Sequence, residues 1–303
     1  MSKIAFIFPG QGAQYCGMGQ DFYEKTTIGR EIYDMASDIL GFSVPELCFE
    51  KNDRLDITEY TQAAMVTTSI AMMRVLEAEK GLKPDVAAGL SLGEYCALAA
   101  AGVMSDGDAI RTVRQRGILM QEAVPVGIGA MAAILALDAS KIEEVIGAID
   151  GVQIANYNCP GQIVISGRKE AVEEANAKLL EAGAKRAIML NVSGPFHSSM
   201  LTEAGEKLGQ VLDQVEIHTP VIPYVANVTA AYVTDAADVK SLLTKQVSSS
   251  VRWQQSVETM LADGVDTFVE IGPGKTLAGF MKKIKRDANV LNIEKLEDLD
   301  KIR

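Results

Sequence analysis

Two histidines in 303 residues leave little imidazole for chemistry, so a histidine base must be either His197 or His218. Cysteine is nearly as sparse. Cys16, Cys48, Cys96 and Cys159 stand far apart and form no Cys-x-x-Cys pair, which argues against a zinc site and against a disulfide framework. Basic residues are outnumbered, 29 Lys and Arg against 40 Asp and Glu, and the resulting net charge of −11 disfavours nucleic acid as a partner, because phosphates need a positive field. No stretch approaches the roughly 20 apolar residues of a membrane span. At the amino terminus, Ile4-Ala5-Phe6-Ile7-Phe8 is cut off by Pro9-Gly10, too short for the apolar region of a signal peptide, so a cytoplasmic protein is expected. Two nucleotide motifs also fail. Gly272-Pro273-Gly274-Lys275-Thr276 imitates the end of a phosphate-binding loop, but Val269 stands where that loop's first glycine belongs. Tyr15 takes the third glycine position of a dinucleotide fingerprint begun by Gly10 and Gly12. Neither a cofactor nor a metal is expected.

What is present is an ordinary globular composition, 48% hydrophobic and 23% charged, enough for one large domain or two smaller ones. A strand from Lys3 to Phe8, a Gly/Gln loop and helices to about Ala78 lead to a short apolar run at Asp85 to Ala88. A further helix follows from Asp106 to about Glu122. Buried strands alternating with helices predict an α/β sheet. Beyond Gly127 the rhythm changes: strand 131–137, helix 140–149, strands 152–156 and 162–166 across the turn Asn158-Cys159-Pro160-Gly161, helix 168–182 and strand 184–191. That β-α-β-β-α-β order is the ferredoxin-like split unit. The expected division is therefore residues 1–126 and 194–303 as a catalytic body, with residues 127–193 inserted and a cleft between the two. After the insert the sequence predicts helix 199–213, a Pro-rich strand at 220–226, helices 239–246 and 253–263, and strand 267–271.

Gly89-Leu90-Ser91-Leu92-Gly93 lies between the apolar run and an alanine-rich helix beginning at Glu94. A strand-turn-helix elbow of this kind exposes a nucleophilic serine, and its glycines avoid collision with the neighbouring strand and helix. In a chain with 26 glycines the pattern alone is weak, so a base and an oxyanion hole must be found elsewhere. His197 stands directly after the insert, where a cleft residue belongs. His218 has no such placement and reads as an ordinary surface or core imidazole. An imidazole with a pKa near 6.5 can take the serine proton on attack and return it to a leaving group.

Phe8-Pro9-Gly10-Gln11-Gly12, the elbow with Glu94-Tyr95, Gln115-Arg116-Gly117, Asn156-Tyr157-Asn158 with Pro160-Gly161-Gln162, Phe196-His197, and Glu270-Ile271-Gly272-Pro273-Gly274-Lys275 occur in this order. Together they resemble the malonyl-CoA:acyl carrier protein transacylase family of bacterial type II fatty acid synthesis, over about residues 4 to 275. The resemblance implies an α/β-hydrolase-like body carrying a ferredoxin-like insert. It implies a malonyl-Ser91 ester formed by ping-pong transfer, His197 as base, and the main-chain carbonyl of Gln246 orienting the imidazole in a dyad. It further implies an oxyanion hole from the N–H groups of Gln11 and Leu92, with Arg116, Phe196, Met120 and Asn158 at the acyl group. Arg116 would hold the malonyl carboxylate through a planar two-bond match that lysine cannot reproduce, whereas nearby Arg111 and Arg114 suit a solvated helix face. The family often places histidine where this chain has Leu90, a change expected to affect elbow packing more than proton transfer. The partner would be an acyl carrier protein, for which Lys275, Lys282, Lys283, Lys285 and Arg286 form a possible docking patch, and the chain would be a monomer. A serine esterase or thioesterase, a discrete polyketide acyltransferase and a silent carrier-binding module are the alternatives.

Overall fold

The computed structural model describes residues 2–125, 127–192 and 194–302. Val126 and Ser193, at the expected edges of the insert, lie outside the described residues, as do Met1 and Arg303.

The first strand, β1 (Ile4–Phe8), is apolar at every position and buried on both faces, as a central parallel strand must be. Next come β2 (Val86–Gly89), β3 (Gly129–Leu135), β4 (Val152–Cys159), β5 (Gln162–Arg168), β6 (Arg186–Met189), β7 (Tyr224–Val225), β8 (Tyr232–Val233), β9 (Thr267–Ile271) and β10 (Asn289–Ile293). They form a six-stranded sheet in the order β10-β9-β1-β2-β7-β8 and a four-stranded sheet in the order β4-β5-β3-β6. Pairing in the large sheet is parallel except between β7 and β8, and in the small sheet it is antiparallel throughout. Helices Ala139–Ile146 and Lys169–Glu181 pack on the small sheet around Ile134, Ile165, Val172 and Leu179. A hydrogen-bonded bridge joins β4 to Val251, in the segment just before helix Trp253–Ala262.

Two helices position the site. Thr58–Lys80 runs through the core, buried at most positions from Thr58 to Leu76, and small Ala, Ser and Thr side chains let neighbouring elements approach it. It ends at Gly81, whose φ of 64° is a left-handed cap that suits glycine. Asp106–Glu122 is started by Ser105, whose side chain accepts from the Asp108 N–H, with Asp106 and Asp108 in its first turn.

Three expectations need correction. The strand predicted at 220–226 pairs only over Tyr224–Val225, because Pro220 and Pro223 have no N–H to give a ladder. The strand predicted at 184–191 contracts to Arg186–Met189. β10 was not anticipated, since Asn289 and Asn292 interrupt its apolar pattern.

Candidate active site

Ser91 follows β2 immediately and has φ 51°, a left-handed conformation that non-glycine residues rarely hold and that tends to appear at functional positions. The flanking glycines are sterically required. A Cβ on Gly89 would lie 1.9 Å from the Gly93 carbonyl carbon, and one on Gly93 would lie 2.2 Å from the Phe8 carbonyl oxygen. Asn227, on the turn after β7, braces the elbow on both sides. Its Oδ1 accepts from the Ser91 N–H at 2.6 Å and its Nδ2 donates to the Gly89 carbonyl at 2.7 Å. Sequence reasoning missed Asn227, for no local pattern links it to a residue 136 positions earlier.

His197 reaches the serine from the other side of the cleft, also with positive φ, at 57°. Its Nε2 is 2.6 Å from Ser91 Oγ and its Nδ1 is 2.8 Å from the main-chain oxygen of Gln246. A carbonyl can only accept, so Nδ1 carries the proton and the neutral ring presents a lone pair to the serine hydroxyl. Gln246 is the last residue of helix Ala236–Gln246, where carbonyls are left without helical partners, so one is free to hold the ring. The turn itself is held by Gln153 of β4, which donates to the His197 carbonyl and accepts from the Ser199 N–H. Burial pushes the imidazole down to about 4, helped by the nearby Arg116 charge and opposed by the Gln246 carbonyl. His218 is exposed beside Glu216 and takes no part.

The three arginines of helix Asp106–Glu122 separate as their spacing demands. Arg111 pairs with Asp108 on the surface, and Arg114 pairs with Glu59 beneath the Tyr60 ring. Arg116 points inward and is 1% exposed. Its Nη1 donates to Gln62 Oε1 at 2.8 Å, and its Nη2 donates to Gln246 Oε1 at 3.0 Å and to Ser91 Oγ at 3.2 Å. Among the described residues its Nε has no acceptor and no carboxylate lies within ion-pair distance. Gln62 and the Gln246 side chain were not anticipated in this role.

These groups open onto a cleft of about 890 Å³ between the loops that follow β1 and β2 on one side and strands β3, β4 and β5 on the other. Gln11 and Leu92 border it, and neither main-chain N–H has an acceptor among the described residues, so both are available as donors beside Ser91. Phe196 and Met120 form apolar wall, and the buried Asn158 Oδ1 lacks a partner among the described residues. Leu90 also borders the cleft and packs against Gly10, where an added Cβ would sit 2.9 Å from its side chain. Lys275, Lys282, Lys283, Lys285 and Arg286 are all exposed, on or next to helix Thr276–Ile284, whose first turns border the cleft. Lys283 is engaged with Gln162, and Lys285 with Asp287. Glu270, buried under that helix, accepts from the N–H groups of Leu277 and Ala278 at 2.9 and 2.8 Å. The helix start that imitates a phosphate loop is thus capped by the chain's own carboxylate.

A serine on a strained elbow, an imidazole hydrogen-bonded to it, and two open N–H donors beside a dead-end arginine define an α/β enzyme of the serine–histidine acyl-transfer class. The family model described as acyl transferase domain matches residues 5–297. A malonyl CoA-acyl carrier protein transacylase from Bacillus subtilis is 47% identical over 305 residues, spanning 99% of this chain and 96% of that protein. The crystal structure of an acyl carrier protein S-malonyltransferase from Vibrio cholerae superposes with a TM-score of 0.97 at 40% identity, covering 100% of both chains. A malonyl-transacylase solved in complex with its type II polyketide acyl-carrier protein gives 0.96 at 39% identity over 99% of each chain. The chain belongs to the malonyl-CoA:acyl carrier protein transacylase family of acyl transferases.

Proposed function

We propose that this enzyme moves a malonyl group from malonyl-CoA to the phosphopantetheine thiol of an acyl carrier protein through a malonyl ester of Ser91. The observation that carries the reading is Arg116, a buried cation that reaches Ser91 Oγ and is met by neutral oxygens alone. Such a group accepts a carboxylate at the far end of a short acyl chain, and malonyl is that chain.

In the first half-reaction Ser91 Oγ attacks the thioester carbonyl while His197 Nε2 takes its proton. Negative charge on the carbonyl oxygen is met by the N–H groups of Gln11 and Leu92, which need no reorganisation to receive it. The C–S bond breaks and the imidazolium returns the proton to the departing sulfur. The second half-reaction runs the same steps in reverse with the carrier thiol as nucleophile. Pairing of Arg116 with the malonyl carboxylate weakens one of the two influences that depress the imidazole, so the base strengthens as the correct substrate arrives. Phe196 and Met120 limit the width of the acyl pocket, and Asn158 offers an oxygen to an amide N–H of the pantetheine arm. Residues 127–193 act as an inserted lobe over the site, and the exposed cations around helix Thr276–Ile284 supply the local positive field that an acidic carrier needs.

Incubation with labelled malonyl-CoA followed by peptide mapping tests the proposal. A malonyl-Ser91 peptide whose label passes to added carrier protein is the expected result. Release to water instead would make the protein a hydrolase, and no adduct would make it a silent carrier-binding module.

A further inference from the structure

Glu94 is the first residue of the elbow helix, is 1% exposed, and has no place in the transfer steps above. Its Oε2 accepts from Gln246 Nε2 at 2.6 Å and from the Asn227 N–H at 3.2 Å. The same Gln246 amide nitrogen donates to the Ser91 carbonyl at 3.0 Å, while its Oε1 accepts from Arg116. That fixes the amide, because the flipped orientation would set oxygen against two acceptors and NH2 against the guanidinium. Arg116 and Glu94 are therefore a buried cation and a buried carboxyl joined through one side-chain amide. That amide belongs to the residue whose carbonyl holds His197, and Glu94's other partner, Asn227, holds the Ser91 N–H.

We propose that Glu94 is the exchangeable counter-charge of Arg116: its ionised form belongs to the empty cleft, and that form takes up a proton from solvent when a carboxylate-bearing acyl group pairs with Arg116. Two anions cannot both be balanced by one buried guanidinium, and the acyl carboxylate makes the direct contact. Through Gln246 and Asn227 Glu94 also acts as a positioning residue for the Ser91 and His197 turns. Burial holds its carboxyl up at about 7, against the lowering effect of Gln246, Asn227 and Arg116, so the exchange falls in the neutral range. The other titratable groups that interact with Glu94 or Arg116 are His197, Tyr95 and Tyr224, and all three are uncharged at neutral pH.

The inference rests on the malonyl reading, and the test separates the two. Acylation conserves protons at neutral pH, since the serine proton ends on the CoA thiol. Burst acylation by malonyl-CoA in weakly buffered solution with a pH indicator should then show uptake of about half a proton per site at pH 7. Uptake should fade in acid, where Glu94 is already neutral. Glu94→Gln, which keeps an acceptor oxygen, should form the malonyl-serine adduct without uptake. The KM for malonyl-CoA should rise with pH in the wild type, by at most about tenfold per unit, and stay flat in the variant. An adduct formed with no proton uptake by the wild type, or uptake that persists in Glu94→Gln, overturns this inference alone. Absence of the adduct overturns the malonyl reading with it. If the variant fails to fold, the wild-type uptake and its decline in acid still decide the matter.

Discussion

Replacing Arg116 by alanine removes the group assigned above to the acyl carboxylate. The guanidinium is 1% exposed and directs its polar contacts to neutral oxygens, so a malonyl carboxylate would be its first full counter-ion by direct contact. Removing one partner of a buried charge pair costs about 3 to 5 kcal/mol. The kcat/KM for malonyl-CoA should therefore fall by roughly a hundredfold to several thousandfold. Acetyl-CoA has no carboxylate to lose, so the malonyl-to-acetyl ratio collapses rather than both rates falling together. A second signature is independent of selectivity. Arg116 helps to hold His197 at about 4, so in the variant the acid limb of the pH–rate profile should move up towards the ordinary value of 6.5. Both readouts come from one set of measurements, kcat/KM for malonyl-CoA and acetyl-CoA between about pH 4 and 8. A malonyl preference kept within about threefold would refute the assignment of Arg116 as the carboxylate anchor, and an acid limb that stays in place would refute its part in depressing His197.

Gly93→Ala would drive a methyl group into the Phe8 carbonyl of the central strand, and neither backbone can yield cheaply, so a loss of about 3 kcal/mol or more in urea denaturation is expected; a wild-type midpoint would contradict the packing described. Asn227→Ala strips the elbow of a bond to each side of Ser91 and should cost about 2 to 4 kcal/mol of stability together with most activity, whereas an active, equally stable variant would show that the elbow holds itself. His197 is held below its ordinary value, so protonation favours the unfolded chain. The stability tied to this group is complete above pH 6.5 and declines by up to about 3 kcal/mol as pH falls towards about 4, which denaturation of wild type against His197→Gln across that window would show as a narrowing difference. Reversing the charge at Lys282 and Lys283 should raise the KM for carrier protein and leave that for malonyl-CoA alone; an unchanged carrier KM would remove the docking patch.

Much of the fold was legible because local chemistry and tertiary placement agree. Helix Asp106–Glu122 was read from its first residue, with its end placed at about Glu122, since Ser105 caps it and two aspartates occupy its first turn. Strand β9 was read to the residue, from an apolar stretch bounded by Asp266 and Gly272. Elements defined by their neighbours were not. β8 has two residues, and β10 draws its pairing from β9 while its own sequence alternates poorly. The candidate site divides in the same way. Ser91 and His197 stand in motifs whose backbone demands leave a trace, whereas Asn227, Gln62 and Gln153 are single polar residues made important by folding. Glu94 did leave a signal, an acidic side chain opening an otherwise apolar and alanine-rich helix. Its meaning depends on Gln246, which sits 152 residues away.

The Gln246 side chain closes a hydrogen bond to the Ser91 carbonyl across 155 residues of chain, and its backbone is what holds the imidazole. During synthesis the serine leaves the ribosome well before that residue has been made. Until helix Ala236–Gln246 docks, the histidine ring has nothing to fix its tautomer, and the elbow lacks the Asn227 brace that comes from the same late part of the chain. Under the proposed mechanism, a nascent chain therefore has no oriented base for Ser91 until that helix has docked. The site proposed above is thus completed only by the last third of the chain, through Asn227 and Gln246.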